Sequence, residues 1–578
     1  MARPDLRSLL PLFLGLCIAL LVANPALATP TPSTRSLSSV EIKTMDWVDH
    51  QALLTEDELN VAPGVPMRFA TPLSVSYSPE KDGTWETLED GSWLWRLRVT
   101  SPGAESLSFS FSDFRMPAGG QLLLYPMGGG PVLGPYTQDD NKAHGELWTP
   151  LILSDDAVIE VRVPAVSRKV LSLRLNQVNH GYRSFVATGP DKAGSCNVDV
   201  VCPEGNAWED EIQSVARLVI GGAFLCTGFM VNNTNEDLTP YFMTANHCGV
   251  GLPGRPASSV VFYWHYENPT CRQVGSVENQ IPPPTDVNMT TTGSTLLANS
   301  AVSDYTLLLL DRRPPLVFDV TWAGWDARNV NPNGAVAIHH PQGHAKRISF
   351  ENAPTTTTTY LGNDVPGDGT HVRVEDWDVG TTEGGSSGSP LFSPDGHVIG
   401  QLHGGFAACG NDLSDWYGRM AVSFPDLAPW LDPDGSGAQT LDGLRLNIGE
   451  LCEEFVQPGP CIPDDNTFCL LDGRFQVQVE FSTFDDPDPA LASTVDDVTA
   501  NDSGLFYFFN PDNWEFLVKM VDGCGFNNRF WVFAAATTNL EYTLRVTDTV
   551  DGCVQTYFNP LGQAAPAITD NSAFATCP

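Results

Sequence analysis

The run Gly384-Gly385-Ser386-Ser387-Gly388-Ser389-Pro390 places serines between glycines in a segment with almost no side-chain bulk. Glycine permits positive φ, and such a turn can leave backbone N–H groups pointing into open space. Those N–H groups could bind an oxyanion that forms beside the Ser387 hydroxyl. The same composition also suits a flexible surface turn. The residues upstream of the run decide between a nucleophile loop and a plain turn.

A serine nucleophile needs a histidine base, and a carboxylate must orient that base. Two upstream motifs supply both groups in the chain order His, Asp, Ser. The run Thr244-Ala245-Asn246-His247-Cys248 ends a strand-like segment, and Cys248 could pin its loop through a disulfide to Cys226. The run Ser303-Asp304-Tyr305-Thr306-Leu307 places an acid at the start of a very apolar strand, where partial shielding strengthens its hydrogen bond to an imidazole.

Around these motifs the chain alternates apolar and polar residues in short runs, such as Ser214 to Ile220 and Val398 to Leu402. Gly, Pro and Asp turns separate the runs, a pattern typical of all-β barrels or sandwiches. One helix is expected over Phe424 to Leu431. The 578 residues exceed one core and predict three or four domains.

Residues 1–28 have the features of a secretory signal, with a basic start, a short apolar segment and a small-residue cleavage site that ends at Ala28. No later stretch could span a bilayer, so we expect an exported extracellular protein without membrane insertion. Without Cys17 of the signal, six cysteines fall between Cys196 and Cys409 and six between Cys452 and Cys577. Two even groups predict two separately disulfide-bonded domains.

The expected organisation of the chain is a signal peptide at 1–28, a β-rich pro-region at 29–192, a disulfide-bonded domain at 193–444, a linker at 445–468 and a small β-sandwich at 469–578. The first of these β regions contains no cysteine, which favours a removable pro-region over a permanent N-terminal domain. The formal net charge of -38 argues against nucleic acid or an anionic membrane as partner.

No metal site or cofactor is expected, because no cysteine pair has the C-x-x-C spacing of a zinc site. His339 and His340 look like a metal pair, but neighbouring residues on a strand face opposite ways, so we interpret them as structural.

The motifs around His247, Asp304 and Ser387, in this order and spacing, resemble a chymotrypsin-fold serine protease, and more closely the bacterial lysyl endopeptidase family. Residues 194–205, the run around Cys226 and residues 400–405 (Gly-Gln-Leu-His-Gly-Gly) carry the closer likeness. The resemblance covers residues 194–444 and, more loosely, the pro-region. It implies an all-β protease domain with two β-barrels and a substrate that is a protein or peptide, for an enzyme that we expect to be a monomer.

The resemblance implies that Ser387 is the nucleophile, His247 the general base and then acid, and Asp304 its orienting carboxylate. Ser386 is an alternative nucleophile, and Asp286 and Asp311 are alternative acids that do not lie in the strand-start motif. The family pattern makes the N–H groups of Gly385 and Ser387 the oxyanion hole.

The family's disulfide pattern implies the pairs Cys196–Cys409, Cys202–Cys271 and Cys226–Cys248. One departure concerns activation. Many enzymes of this fold have an Asp just before the nucleophile, where it receives the new N-terminal ammonium, but here that residue is Ser386. We therefore expect activation by removal of a covering pro-region.

A buried substrate ammonium requires a carboxylate partner. The position six before the nucleophile, where trypsin-like enzymes have Asp, is Thr381, whereas the lysyl endopeptidase motif matches Ser414 to Gly418 and implies Asp415 as the S1 residue. Asp412 is the neighbouring alternative. The family also stacks an aromatic residue on a histidine beside the site, which implies His403 and, in a loop of different length, Tyr360.

Lysine usage gives an independent argument for specificity. Residues 29–192 hold five Lys and nine Arg, whereas residues 193–578 hold two Lys and thirteen Arg. A nucleotide bias would act on both segments alike, so the contrast indicates selection against lysine in the mature part, as a Lys-cleaving enzyme would need. Lys192 directly precedes Ala193, and we predict that cleavage there creates the mature N-terminus.

Three functions are compatible with these residues. The leading hypothesis is a secreted serine endopeptidase that cleaves after lysine. The alternatives are a related protease with Arg or acidic specificity, in which His403 contacts the substrate, and a catalytically silent binding homologue. The filled His, Asp and Ser positions argue against the last.

Overall fold

The computed structural model describes residues 29–33, 35–184, 193–281, 289–446, 452, 454–456, 458–495 and 500–577. Ala28 and Lys192, the two predicted processing residues, lie outside the described residues. The strands of the N-terminal part are β1 Ile42–Thr44, β2 Met67–Arg68, β3 Ala70–Tyr77, β4 Thr84–Thr87, β5 Trp93–Thr100, β6 Ser106–Arg115, β7 Gln121–Pro126, β8 Leu133–Tyr136, β9 Leu147–Trp148, β10 Asp156–Val163 and β11 Ser172–Gly181. The helix α1 spans His50–Leu59.

The middle part contains β12 Val198–Asp199, α2 Glu209–Ser214, β13 Val215–Ile220, β14 Phe224–Met230, β15 Tyr241–Ala245, β16 Val261–Tyr263, β17 Thr290–Thr292, β18 Ser294–Ser300, β19 Tyr305–Leu310, β20 Trp325–Asp326, β21 Asn333–His339, β22 Arg347–Pro354, β23 Thr356–Thr358, β24 His371–Val374, β25 Pro390–Phe392, β26 Val398–Gly405, β27 Asp415–Arg419, α3 Met420–Leu431 and β28 Thr440–Leu441.

The C-terminal part contains β29 Glu454–Phe455, β30 Phe468–Leu470, β31 Phe475–Ser482, β32 Ala490–Leu491, β33 Ser493–Thr494, β34 Ser503–Tyr507, β35 Phe516–Asp522, α4 Cys524–Asn527, β36 Phe530–Ala536, β37 Glu541–Asp548, β38 Cys553–Asn559 and β39 Ile568–Phe574. Single-turn 3₁₀ helices lie at Leu37–Ser39, Gln138–Asp140, Arg168–Val170, Pro203–Gly205, Asn246–Cys248, Ala257–Ser259, Glu278–Gln280, Leu316–Phe318 and Pro341–Gly343. The prediction of an all-β fold is confirmed.

The N-terminal part is a sandwich of two sheets. One sheet has the order β1-β5-β10-β7-β8 with β4 on β5, and the other has the order β3-β11-β6-β9. Alternate residues of both sheets point into one core, which includes Leu97, Phe109, Ile159 and Val178. This alternation is the period-2 pattern of half-buried strands.

The middle part consists of two curled antiparallel sheets. The first has the order β17-β16-β13-β14-β15-β19-β18, and Phe262 of β16 shares a core with Leu308 of β19 although the two strands lie far apart in the sheet. The second sheet runs β12-β22-β21-β25-β26-β27-β24-β23 and encloses a core that includes Ala337, Val374 and Tyr417. Strands that meet around a common core close a sheet into a barrel, so this part is a pair of β-barrels.

The helix at the end of the second barrel is longer than the sequence pattern indicates. It begins at Met420, one turn before the expected Phe424, directly after β27. The ring of Phe424 packs on Trp325 at a centroid distance of 4.6 Å, and Met420 and Leu427 are fully buried. Burial of these side chains therefore stabilises a helix that begins four residues before Phe424. The helix contains Pro425 and Pro429, residues that restrict helices elsewhere.

The C-terminal part is a second sandwich, with sheet orders β29-β38-β37-β31-β30 and β33-β34-β35-β36-β39. Its buried Asp551 accepts hydrogen bonds from the Arg313 side chain at 3.1 Å and from Leu316 N–H at 2.9 Å. A charged hydrogen bond of this kind joins the sandwich to the first barrel.

The N-terminal sandwich also contacts the first barrel. Its β2 adds to the edge of β14 with the pairs Phe224↔Arg68 and Leu225↔Met67. Phe69, Trp148 and Leu151 pack in one cluster with barrel residues that include Leu225. This apolar contact and the added strand hold the N-terminal part on the face of the barrel that carries the site described below.

Six disulfides lie in the described residues. In the middle part they join Cys196 to Cys409, Cys202 to Cys271 and Cys226 to Cys248. In the C-terminal part they join Cys452 to Cys553, Cys461 to Cys469 and Cys524 to Cys577. Among the described residues, none of the helices has the length and apolar character needed to cross a bilayer.

Candidate active site

His247 and Asp304 meet at the end of the first barrel. Strand β15 pairs with β19 so that Ala245 lies opposite Tyr305, which brings the residue groups just beyond this pair together. His247 Nδ1 lies 2.7 Å from Asp304 Oδ2, and His247 N–H donates to Asp304 Oδ1 at 2.9 Å. Asp304 is 2% exposed, so its charge acts in a weakly screened environment.

The 3₁₀ turn Asn246–Cys248 fixes the histidine in place. The disulfide from Cys248 to Cys226 ties this turn to β14, and Asn246 N–H donates to the Asp304 carbonyl at 2.9 Å. His247 Nε2 is buried and has no hydrogen-bond partner in the described part of the chain. A buried imidazole nitrogen without a partner is available to take a proton from a neighbouring group.

The turn that holds Ser387 lies against the same strands. Thr227 N–H of β14 donates to the Ser387 carbonyl at 2.8 Å, and Thr227 Oγ1 donates to the Gly385 carbonyl at 2.9 Å. Gly388 has φ +83° and packs so closely on Thr244 that a Cβ would overlap Thr244 Oγ1. Only glycine fits there, which brings Ser387 to the strand end that carries His247.

The two candidate serines have different surroundings. Ser386 is fully buried, and its Oγ lies 2.8 Å from His339 Nδ1 and accepts a hydrogen bond from Glu383 N–H at 3.2 Å. Ser387 is 9% exposed. Among the residues that the structure describes, no protein oxygen accepts a hydrogen bond from the N–H of Gly385 or of Ser387.

The neighbouring histidines also have separate partners. His339 faces Ser386, whereas His340 Nδ1 lies 2.8 Å from the His344 carbonyl. The two rings therefore do not form one ligand pair.

Asp415 is a buried carboxylate at the start of β27, and it is 1% exposed. Thr382 Oγ1 donates to its Oδ2 at 2.6 Å and Trp377 Nε1 donates to the same oxygen at 2.8 Å. Burial raises the pKa of the Asp415 carboxyl. Asp412, the alternative, is exposed. Asp415 thus provides a desolvated carboxylate. It lies far along the chain from the Ser387 turn but is joined to it through Thr382.

Tyr360 and His403 stack with their ring centroids 3.5 Å apart and an interplanar angle of 2°. His403 in turn stacks on His247 at 5.5 Å, and its Nε2 lies 3.8 Å from Asp304 Oδ2. Burial lowers the pKa of His403 to about 4, so the ring is neutral at neutral pH.

A hydrogen-bond chain fixes the proton on this ring. Thr370 Oγ1 donates to Asp368 Oδ1 at 2.7 Å, so it accepts from His371 Nδ1–H, which lies 2.7 Å away. The neutral His371 then presents an Nε2 lone pair to His403 Nδ1 at 2.9 Å. His403 therefore donates from Nδ1 and turns its own Nε2 lone pair toward Asp304.

We expect this pair of histidines to make stability fall in acid. Burial lowers the pKa of both His371 and His403 from 6.5 to about 4, so the unfolded chain binds protons that the folded chain excludes between these values. Each group then removes about 1.4 kcal/mol per pH unit as the pH falls from 6.5 toward 4.

The measurement compares urea unfolding of the full chain carrying S387A, which prevents self-digestion, with the same chain carrying H371Q and H403N in addition. The stability of the first should fall relative to the second between pH 6.5 and 4.5. Parallel pH dependences of the two chains would contradict the expectation.

The N-terminal part covers this cleft. A Cβ on Gly64 would lie 3.1 Å from Tyr360 Oη and 3.4 Å from His403, and a Cβ on Gly404 would lie 2.9 Å from Gly64 N. Met67 approaches Gly384 at the start of the Ser387 turn. The segment from residue 63 to 67 thus lies over the aromatic stack and the serine turn.

The sequence motifs do not identify His371, Trp377, Thr382 or Glu383. Each of these side chains contacts a motif residue through folding, because their strands and loops lie far apart in the chain from their partners. A weak signal exists only for Glu383 and Thr382, which directly precede the glycine-rich run.

Comparison with known proteins gives two family matches. A family described as lysyl endopeptidase, C-terminal domain, matches residues 190–418, and one described as lysyl endopeptidase N-terminal domain matches residues 44–182. A lysyl endopeptidase of Pseudomonas aeruginosa is 29% identical over 398 residues, which cover 64% of this chain and 82% of that protein. Residues 190–418 include His247, Asp304, Ser387 and Asp415.

Two solved structures are among those to which the chain is similar. The Rv3671c protease from M. tuberculosis in its active form is 16% identical, with a TM-score of 0.26 and coverage of 42% of this chain and 91% of its own. A Glu endopeptidase is 13% identical, with a TM-score of 0.25 and coverage of 38% of this chain and 90% of its own.

Proposed function

The chain is a lysyl endopeptidase-like serine protease, and from this premise we propose that it is a secreted enzyme that hydrolyses peptide bonds on the carboxyl side of lysine. The observation that carries the proposal is the 2.7 Å contact between His247 and Asp304 beside the turn that holds Ser387. The buried carboxylate of Asp415 supports the lysine preference. The six disulfides support an extracellular location, which the signal at 1–28 would direct.

In the proposed mechanism Ser387 Oγ attacks the substrate carbonyl while His247 Nε2 takes its proton. Asp304 holds the imidazole through Nδ1 and stabilises the imidazolium that forms. The N–H groups of Gly385 and Ser387 would receive the oxyanion, which their lack of protein acceptors in the described residues supports. His247 then gives its proton to the leaving amine, and water hydrolyses the acyl-enzyme by the same steps.

The contacts of Asp415 favour lysine over arginine. Both side-chain donors, Thr382 and Trp377, bind the same oxygen, Oδ2, and the backbone of Ala407 gives the carboxyl a further hydrogen bond. A guanidinium prefers a two-point contact with both carboxylate oxygens, whereas an ammonium is a point charge that needs only one. A carboxylate in which one oxygen already accepts two hydrogen bonds therefore suits an ammonium better than a guanidinium.

The places of the two lysines after residue 192 support the same preference. Lys346 is fully buried, and its Nζ donates to the Ile212 carbonyl at 2.8 Å. Lys519 lies inside β35, which pairs on both sides with β34 and β36. The Lys519 side chain is 48% exposed, but its backbone is held in the sheet on both sides, whereas Lys346 is buried, so neither lysine is a ready site for self-digestion.

The N-terminal part has the properties of a removable inhibitor. Its segment at residues 63–67 covers the cleft, and the sequence between Lys43 and Lys81 contains no lysine. The covering segment therefore offers no cleavage site of the proposed specificity. We propose that cleavage after Lys192 releases the pro-region and creates the mature N-terminus at Ala193.

Digestion of a denatured protein mixture tests the specificity. We expect the new peptide C-termini, identified by mass spectrometry, to be dominated by lysine, because the buried Asp415 carboxylate suits an ammonium better than a guanidinium. The matched control is the same digestion with the S387A variant, which should add no new termini. Termini dominated by arginine or by acidic residues would contradict the assignment of Asp415 and favour contact through His403.

A further inference from the structure

Glu383 is a carboxylate with an incomplete set of partners four residues before Ser387. Its Oε1 and Oε2 each accept a hydrogen bond from Gly194 N–H at 3.0 Å, and the neutral side chain of Asn197 is a further hydrogen-bond partner of the carboxyl. Within the described residues, no cationic side chain lies within ion-pair distance of these oxygens. Arg347 acts on Glu383 only from a distance, because its guanidinium pairs with Asp199 at 2.9 Å.

A partly buried carboxylate without a cation is costly, and the two neutral partners Gly194 and Asn197 compensate only part of its lost hydration. Burial accordingly raises the pKa of the Glu383 carboxyl to about 7. The site therefore holds a carboxylate that a nearby cation would stabilise in its ionised form.

The backbone segment that contacts Glu383 belongs to the predicted mature N-terminus. Ala193 is fully buried, and its N–H donates to His344 Nδ1 at 3.2 Å. The next residue, Gly194, packs so closely that a Cβ would lie 2.7 Å from Glu383 Oε1. Adjacent backbone nitrogens lie about 3 to 3.6 Å apart by chain geometry, so a charge on Ala193 N would lie within a few ångströms of the carboxylate.

We propose that the ammonium of Ala193, created when the pro-region is cut off, forms an ion pair with Glu383 that positions the Ser387 turn. This inference rests on the proposed maturation at Ala193. Hydrolysis of the peptide bond before Ala193 adds water across it, leaves a carboxylate on residue 192 and turns the amide N–H into an ammonium with three donors. One donor can keep His344 and another can bind Glu383.

The link from Glu383 to the serine turn is direct. Ser386 N–H donates to the Glu383 carbonyl at 3.0 Å, and Glu383 N–H donates to Ser386 Oγ at 3.2 Å. A charge that fixes Glu383 therefore fixes the residue beside the nucleophile and the N–H groups of Gly385 and Ser387. In many enzymes of this fold, an Asp just before the nucleophile receives the N-terminal ammonium, but here that residue is Ser386. Glu383, four residues before Ser387, would receive the ammonium instead.

The test distinguishes the effect of the charge on the Ala193 nitrogen from the effect of the Glu383 side chain. In the full chain, residues 188–192 are replaced by the recognition sequence of a site-specific protease that leaves Ala193 as the first residue. A second version leaves one added serine before Ala193, so position 193 carries an amide and the charge is displaced. Each version is made with Glu383 and with E383Q.

We expect the added serine to lower kcat/KM at least tenfold, E383Q to lower it similarly, and the combination to cause little further loss. Non-additivity of this kind reports a direct interaction, which a merely structural role of Glu383 would not give. Losses that multiply, or full activity of the extended chain, would overturn the proposal. If E383Q does not fold, the activity of the chain with the added serine before Ala193 still tests the proposal.

A fluorophosphonate that acylates the active serine regardless of side-chain preference provides the second readout. If labelling depends on the chain end but lysyl substrates are not cleaved, the ion pair stands and the lysine preference fails. If lysyl substrates are cleaved equally by all four chains, the proposed function stands and the ion pair fails.

Discussion

Replacing Ser387 with alanine should lower kcat for peptide hydrolysis by about 10⁵- to 10⁶-fold, because the acyl-enzyme can no longer form and His247 loses its proton donor. The residual rate would come from the oxyanion-binding N–H groups and substrate binding alone. The measurement is hydrolysis of a lysyl peptide by enzyme that has been freed of its pro-region by an added protease. The side chain is small and 9% exposed, so we expect the fold to be unchanged.

The matched control is S386A. Ser386 Oγ lies 2.8 Å from His339 Nδ1 and accepts from Glu383 N–H at 3.2 Å, so its loss removes two hydrogen bonds behind the turn but no group proposed to react, and Ser386 N–H still bonds to the Glu383 carbonyl. We expect S386A to keep activity within about tenfold of the parent enzyme. Full activity of S387A together with an inactive S386A would reverse the assignment of the nucleophile.

The same S387A chain tests self-maturation. If the enzyme cuts after its own Lys192, the variant should be secreted with residues 29–192 still attached. N-terminal sequencing reads this directly. A variant chain that begins at Ala193 would show that another protease performs the maturation.

Replacing Asp415 with asparagine should have the second-largest effect, a loss of about 10²- to 10⁴-fold in kcat/KM for lysyl substrates. Asparagine keeps the volume of the side chain but leaves the substrate ammonium buried without a counter-charge, which costs about 3 to 5 kcal/mol. A substrate with norleucine in place of lysine has the same chain length without the charge. Its kcat/KM should change little, so the ratio of the two substrates is the diagnostic quantity.

The control for this change is D412N, since Asp412 is exposed on the same loop. It should leave the ratio of lysyl to norleucyl hydrolysis unchanged. A collapse of the ratio in D412N, with normal discrimination in D415N, would move the specificity carboxylate to residue 412.

The sequence predicts the all-β class because its strands carry the period-2 alternation in local stretches. The Ser214 to Ile220 run shows the limit of that pattern. Its strand begins at Val215, because Ser214 still belongs to α2, where Glu209, Asp210 and Glu211 occupy the first turn and favour a helix N-terminus. Helix and strand boundaries depend on such local competition, which alternation alone does not resolve.

The candidate site divides in the same way. His247, Asp304 and Ser387 lie in short motifs, so their identities can be read from neighbouring residues. The contact of Glu383 with Gly194 joins positions far apart in sequence and depends on how the two barrels fold. Likewise, His371 contacts His403 across the paired strands β24 and β27 and their neighbour β26. No local pattern contains that information.

The disulfide between Cys196 and Cys409 has a consequence for the chain end. Only two residues, Gly194 and Ser195, lie between Ala193 and Cys196, so after cleavage the free end can explore only a small volume around Glu383. A ligand tethered so closely has an effective concentration in the millimolar range or above. Binding of the terminus then needs little intrinsic affinity, and because it is intramolecular, the fraction of active molecules would not depend on the protein concentration.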